Sequence, residues 1–408
     1  MTKKIIPRTL KGFRDFLPSE IFKREFLKKN ITEVFELYGF EPIETPALEY
    51  LETFAGNIGE EEKLFYNFTD QGGREVALRY DQTVPTCRLV AQHTDKIQLP
   101  FKRYQIQTVW RAEKPQKGRY REFLQCDADI FGVAEAEADA EVMALSLNIY
   151  QKLGFKEYIL KVNDRSLFAD IPYKVIVAID KLAKIGRDGV IEEIIKKGYS
   201  RSEAEDYLKQ IDKIQPNQTI KTIFKYLENL GVTKDKYTFD PSLARSFSYS
   251  TGPIWEVIIP GFTAGSVLGG ERFDQLISRF QKNEVPATGF GLGFDRTVEA
   301  MEQFNLFPDL KTKTTALVTV FSSKLLEQSL GIIKTLRDNQ INSELYSNLK
   351  DRLDKQFKYA DKKNIPYVLI IGEDEIKKDK VRLKEMASGK QKLLTKTELI
   401  QFFKEQQK

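Results

Sequence analysis

One histidine, His93, and two cysteines, Cys87 and Cys126, are all that 408 residues contain of these types. Two thiols cannot build a disulfide framework, and a single imidazole cannot complete a zinc site of ordinary Cys/His spacing, so a structural metal is not expected. His93 stands alone in the polar run AQHTDK and reads as an exposed or capping residue rather than a catalytic base. No window of about 18 uncharged apolar residues occurs, which argues against a membrane span. The start, MTKKIIPRTLKGFRDF, lacks an apolar stretch and a small-residue cleavage site, so the cytoplasm is the expected compartment. Internal repeats and low-complexity tracts are also missing.

What is present is globular. Apolar residues make up 41% of the chain and charged residues 30%, with 28 Phe and 17 Tyr, so core material is ample. The length exceeds what one ordinary core serves and predicts two or three units. Net charge is +5, and its placement is uneven. Residues 315–408 hold nineteen Lys and Arg against thirteen Asp and Glu, about +6, while the rest is nearly neutral. A basic end is either a solvated surface or a phosphate-binding one.

Apolar residues at helical spacing predict a helix over 21–38, ended by Gly39. FEPIETPALEY follows as an extended, proline-broken strand. Short apolar runs predict strands over 76–79, 101–110 and 123–131; the last two enclose the charged loop RAEKPQKGRYRE and so form an antiparallel hairpin. A helix is expected over 134–153. Residues 168–230 read as a charged helical insertion, with one helix ending at Lys197 and Gly198 and the next capped by Ser202 with Glu205. Strands over 254–259 and 265–268, a helix over 274–280 and a linker near 307–314 come next. The end of the chain alternates strand and helix, which implies a small α/β domain.

The hairpin loop carries Arg111, Glu113, Lys114, Lys117, Arg119 and Arg121. Planar, permanently charged guanidinium groups suit a triphosphate, although a charged hairpin alone is an ordinary soluble turn. A second element, ATGFGLGFDR (287–296), places glycines that permit close backbone approach beside Arg296; its bland alternative is a glycine-rich turn against a helix. The stretch from Lys102 to Gly132, with its GRYREF and QCDADIFG ends, resembles the second motif of class II aminoacyl-tRNA synthetases. Residues 287–296 resemble the third, with Asp295 where Glu is commoner, and residues 21–50 follow the order of the first. KGFRDFLP, LRYDQT, ARSFSYSTG, DKLAKIG and LDKQFKYADKKNIPYVLIIGEDE are similar to histidyl-type members of this class.

The resemblance implies an α+β fold, with an antiparallel sheet flanked by helices as the catalytic domain. Residues 1–166 would form its first part, 167–232 a helical insertion, 233–310 its second part, and 315–408 an α/β anticodon-binding domain. It implies ATP and L-histidine as substrates, Mg2+ as the accompanying metal, tRNA(His) as partner and a homodimer built on the first motif. By the same resemblance Arg111 and Arg245 are catalytic, contacting the α-phosphate and the amino-acid carboxylate. Glu113 contacts the adenine amino group, Arg119 and Arg121 steady the outer phosphates or the loop, and Arg296 grips the γ-phosphate. Asp81, Thr83 and Gln125 hold the α-ammonium, Asp129 accepts from the imidazole, and Tyr249 and Ser250 complete the histidine pocket. For Asp81 and Asp129 a strand-end salt bridge is the other reading. Two departures stand out. The usual RGLDYYTG is here Arg245-Ser-Phe-Ser-Tyr-Ser-Thr-Gly252, which leaves Ser250 in place of the second tyrosine. The usual GGRYD region carries Glu271 in place of a glycine, and a buried Glu271 would need a partner such as Arg245 or Arg272. The alternatives are a catalytically silent regulatory relative, a tRNA binder that does not charge, and a class II synthetase for another amino acid.

Overall fold

The computed structural model describes residues 5–54, 65–115, 118–245, 249–309 and 312–406. Lys117 and Ser246, Phe247 and Ser248 of the expected site lie outside the described residues. The chain divides into two compact units: one takes residues 5–16 and 24–306, the other 17–23 and 307–406.

In the first unit an eight-stranded sheet carries the site. Its members are β1 (Glu41–Pro42), β5 (Phe101–Trp110), β6 (Glu122–Phe131), β7 (Ile159–Asp164), β8 (Tyr237–Phe239), β9 (Pro253–Ile258), β10 (Leu268–Arg272) and β11 (Ala287–Gly293). The order is β1-β5-β6-β11-β10-β9-β7-β8. The six central strands pair antiparallel, and the short edge strands β1 and β8 pair parallel. A second, three-stranded sheet joins β2 (Leu48–Tyr50), β4 (Glu75–Leu78) and β3 (Asn67–Thr69) in the order β2-β4-β3. FEPIETPALEY is therefore two short strands rather than one, because Pro42 and Pro46 each withhold a ladder donor.

Side chains alternate across a strand, so each face of the large sheet can be read from the register. Tyr104, Ala128 and Phe290 form one cross-strand row. Their face is apolar and closes against helix α1 (Pro18–Leu37), whose Phe35 ring stands 5.1 Å from Tyr104 and 6.2 Å from Phe290. Helix α4 (Ala136–Lys152) and helix α9 (Phe294–Gln303) cover the same sheet. Gly39 follows α1 at φ +75°, a left-handed terminus that glycine adopts without Cβ strain. The buried thiols of Cys87 and Cys126 are pushed up by burial and behave as small apolar groups. His93 caps helix α3 (Thr83–Gln92), its N–H donating to the Leu89 carbonyl at 3.1 Å.

The insertion consists of α5 (Tyr173–Ile179), α6 (Leu182–Lys196), α7 (Arg201–Asp212) and α8 (Gln218–Asn229). The capping box of α7 lies two residues before the expected one, at Ser200 and Glu203. Ser200 is the last residue with extended backbone, and only there does the hydroxyl meet an unpaired helical N–H. The strand expected over 265–268 begins instead at Leu268, after Gly265 has turned at φ +95°. The helix expected over 274–280 is a single 3-10 turn, Leu276–Arg279.

The second unit holds a sheet ordered β13-β12-β14-β15-β16, from β12 (Ala316–Val318), β13 (Ser343–Leu345), β14 (Tyr367–Ile370), β15 (Val381–Glu385) and β16 (Gln391–Leu394). Its parallel and antiparallel pairings make it mixed. Ile332, Ile333 and Leu336 of α10 (Leu326–Asp338) and Leu399 and Phe403 of the last helix, Lys396–Gln406, share one core cluster with the sheet residues Val318 and Leu383. Among the described residues no helix is long and apolar enough to cross a membrane.

Candidate active site

The face of the large sheet opposite α1 is polar. On β5 it carries Arg103, Gln105 and Gln107; on β6 it carries Gln125, Asp127 and Asp129, registered against them. The next strand has nothing but glycine at the matching places, since Asp129, Asp127 and Gln125 face Gly289, Gly291 and Gly293. Gly269 and Glu271 continue the rows on β10, and Glu256 and Ile254 on β9. Glycine in a strand interior weakens a sheet and marks close approach by another group. The glycine run 287–293 is thus a strand, not the turn of the bland reading, and its bare backbone floors a trough with polar walls.

At one end of the trough arginines converge. Arg111 directly follows β5, and its backbone N–H donates to the Arg121 carbonyl at 2.9 Å. Its Nε donates to the Tyr80 carbonyl at 3.0 Å, and its guanidinium stacks 5.2 Å over the Phe123 ring. Arg296, in the first turn of α9, donates to the Ser266 carbonyl at 2.9 Å. Burial, and after it the neighbouring charges of Arg119 and Arg111, hold Arg296 below the usual arginine range. Like charges gathered in one place at this cost are the chemistry that suits an anionic ligand. Arg119 also pairs with Glu113 at 3.2 Å, so those two expected nucleotide contacts engage each other. Arg121 is spent on the chain itself: its Nε donates to the Glu113 carbonyl at 2.9 Å, and it packs where a side chain at Gly12 would otherwise fall. Of the two roles expected for it, the loop clamp is the one these bonds describe.

The other end is richer in carboxylates. Asp81 and Asp129 are buried. Asp81 accepts from the Val84 N–H at 3.4 Å, beside Thr83, the first residue of α3. Gln125 donates through Nε2 to both oxygens of Asp127 at 2.9 Å. Burial raises Asp127 to about 8 and Asp129 to about 6, in each case against the attraction of Arg103. Arg103 and Asp129 form an ion pair with both side chains buried. Tyr249 sits edge-on to Phe273 at 6.4 Å.

Arg245 bridges the two ends. It lies over Gly269, where a Cβ would strike its guanidinium. Its Nε is 3.3 Å from Glu271 and its Nη1 is 4.0 Å from Glu256. Glu271 is 6% exposed and takes Arg245, not Arg272, as its partner. Arg272 points to the opposite face and holds Asp139 at 2.7 Å and Asp274 at 3.1 Å. Ser250 donates its hydroxyl to the second oxygen of Glu271. Asp295 clamps the N-terminal segment, accepting from Arg14 at 2.8 Å and Arg24 at 2.5 Å.

A sequence profile described as histidyl-tRNA synthetase matches residues 12–185 and 196–297, and one described as anticodon binding domain matches 315–406. The histidine–tRNA ligase of Cytophaga hutchinsonii is 36% identical, over 97% of this chain and 98% of the relative. That of Wolinella succinogenes is 35% identical, over 95% and 96%. The chain belongs to the histidyl-tRNA synthetase family. The crystal structure of histidyl-tRNA synthetase from Nostoc sp. PCC 7120 superposes with a TM-score of 0.83, at 28% identity, over 99% of this chain and all of that one. The α+β architecture is that of the family.

Three residues on the polar face of this family member went unnoticed in the sequence: Arg103, Asp127 and Glu256. The signal was available, because Arg103, Gln105 and Gln107 and then Gln125, Asp127 and Asp129 repeat at period two within the hairpin. Lys184 of the insertion was also missed; desolvation first, and then Arg119 and Arg296, lower its pKa. Nothing in the local sequence of a charged helix separates it from its neighbours.

Proposed function

We infer that the chain is a histidine–tRNA ligase: it condenses L-histidine with ATP to histidyl-adenylate and transfers the histidyl group to the 3′-terminal adenosine of tRNA(His). The convergence of Arg111, Arg119 and Arg296 at one end of a glycine-floored trough carries the reading. ATP lies with its phosphates at that end. Arg111 and Arg245 hold the α-phosphate and the histidine carboxylate, and Arg296 holds the γ-phosphate. A carboxylate oxygen attacks the α-phosphorus, the bond to the β-phosphate bridging oxygen breaks, and pyrophosphate leaves with its charge met by fixed guanidinium groups. The 3′-adenosine hydroxyl then attacks the histidyl carbonyl and AMP departs. Glu113 reaches the adenine, with Arg119 beside it. Asp81, Thr83 and Gln125 receive the ammonium; the Gln125 amide, turned toward Asp127, is oriented to present its oxygen.

Among the described residues no group of three or more His, Cys, Asp or Glu gathers to hold a metal. Mg2+ would assist at the phosphates, in keeping with its habit of binding them with few protein ligands. Residues 1–166 and 233–310 act as the catalytic domain around the 167–232 insertion, and 315–408 reads the anticodon, its basic excess meeting tRNA phosphates. The enzyme works in the cytoplasm as a homodimer. Support for the dimer comes from Leu48, Tyr50 and Phe68, which are 43%, 53% and 48% exposed in β2 and β3 of the small sheet, an apolar face rimmed by polar residues. Incubation with ATP, labelled histidine and total tRNA tests the function: ester-linked label on tRNA is expected, and none would overturn the reading.

A further inference from the structure

Glu271 and Ser250, two of the positions where the chain leaves the family pattern, touch each other. They are 21 residues apart in sequence, yet the Ser250 hydroxyl donates to one oxygen of Glu271 while Arg245 stands 3.3 Å from the other. Both side chains are buried. On the sheet, Glu271 lies in one cross-strand row with Gly289 and Asp129. The middle position has no side chain, and the Asp129 carboxylate leans over it into the space a Cβ would take. The row therefore brings the Asp129 carboxylate over Gly289, with Glu271 on the next strand of the same row.

Two carboxyl groups enclosed together repel unless a donor or a cation comes between them. The negative charge of Glu271 acts on Asp129, and burial raises the pKa of both. Arg103 and Arg245 each attend one carboxylate. A carboxylate oxygen accepts more than one hydrogen bond, so these partners leave acceptor capacity. A flat ring with polar nitrogens on two edges is the ligand chemistry that such a row matches.

We propose that Ser250 and Glu271 act as one unit that forms the far wall of the amino-acid side-chain pocket, with Glu271 contacting the substrate ring on the edge opposite Asp129. This rests on the histidine reading above and adds a specificity-determining residue to it. Ser250 is a positioning residue, which fixes the rotamer of the carboxylate. The smaller serine leaves room for the longer Glu271 side chain, so neither change is tolerated without the other. A residue whose sole task is to hold Arg245 would affect the reacting carboxylate and phosphate, not the affinity for the side chain.

The test is ATP–pyrophosphate exchange at varied histidine, with wild type, Glu271→Ala, Glu271→Gln, Ser250→Tyr and the double variant Ser250→Tyr/Glu271→Gly. Glu271→Ala is expected to raise KM for histidine about thirtyfold with kcat within threefold of wild type. Glu271→Gln, which keeps a polar group of the same length, recovers most of that loss. Ser250→Tyr alone overfills the pocket and raises KM by a similar factor, whereas the double variant returns to within about fivefold of wild type. The proposal is overturned if KM is unchanged in Glu271→Ala, or if kcat falls at constant KM and Glu271→Gln behaves like Glu271→Ala. A double variant no better than Ser250→Tyr also overturns it, and this comparison stands even if Glu271→Ala fails to fold. Wild-type protein that exchanges with another amino acid and not with histidine defeats the function reading instead; the same variants then report whether Glu271 governs KM for that amino acid.

Discussion

The two ends of the trough handle arginine in opposite ways. At the phosphate end, Arg111 and Arg296 are fixed by the backbone carbonyls of Tyr80 and Ser266. A carbonyl orients a guanidinium without cancelling its charge, so the charge stays available for a ligand. At the side-chain end, Arg103 is matched to the buried Asp129; Arg245 stands between the two ends, with Glu271 at 3.3 Å. There the charge is balanced within the protein, and what remains is a pattern of acceptors. One end is built to attract, the other to discriminate. Arg119, paired with Glu113, is the exception at the phosphate end.

The contrast predicts different failures. Asp129→Ala leaves Arg103 buried without its carboxylate, and should cost about 3–5 kcal/mol of stability in urea unfolding. A loss below about 1 kcal/mol would mean that Arg103 finds another partner and the balance is not structural. Arg296→Ala removes a charge anchored by the Ser266 carbonyl, on which Glu256 and Glu299 act against the larger effect of burial. Its stability should be nearly unchanged, while kcat for pyrophosphate exchange falls by about 10²–10³. A reversed result, with large destabilisation and small kinetic loss, would erase the distinction between the ends.

A pH experiment sharpens the side-chain end. The folded Asp127 titrates near 8, well above the ordinary aspartate value of about 3.9 expected in the unfolded chain. Between those values the folded protein holds a proton that the unfolded chain has released, so this residue makes stability fall as pH rises from about 4 to about 8. Asp127→Asn should remove that slope and gain on wild type as pH increases. At pH 8 a melting temperature about 1–2 °C higher is expected for each kcal/mol recovered; equal slopes in the two proteins would contradict the burial argument. The smallest effect is reserved for Arg121→Ala. Because the bonds of Arg121 go to the loop backbone, KM for ATP should rise by less than about tenfold, and a loss as large as that of Arg296→Ala would place it on the phosphates.

Much of this organisation could be read in advance, and the reason is periodicity. The hairpin strands, the long first helix and the strand–helix alternation of the second unit follow from local spacing of apolar residues, and the charged loop between β5 and β6 announces its chemistry. Features that depend on an offset of two or three residues were displaced, such as the cap at Ser200 and the start of β10, because neighbouring serines and glycines are chemically equivalent until the backbone selects one. The pairing of Arg103 with Asp129 belongs to the sheet register, and that of Ser250 with Glu271 to the loop that precedes β9. A sequence shows that Glu271 needs a partner; only the fold shows that Arg245 and Ser250 reach it while Arg272 faces away.

The most direct measurement is ATP–pyrophosphate exchange by the wild-type enzyme with each of the twenty amino acids in turn. The account predicts exchange with histidine alone, since the phosphate end supplies the chemistry and the balanced end admits one side chain. Exchange with several amino acids, with a different one, or with none would contradict it.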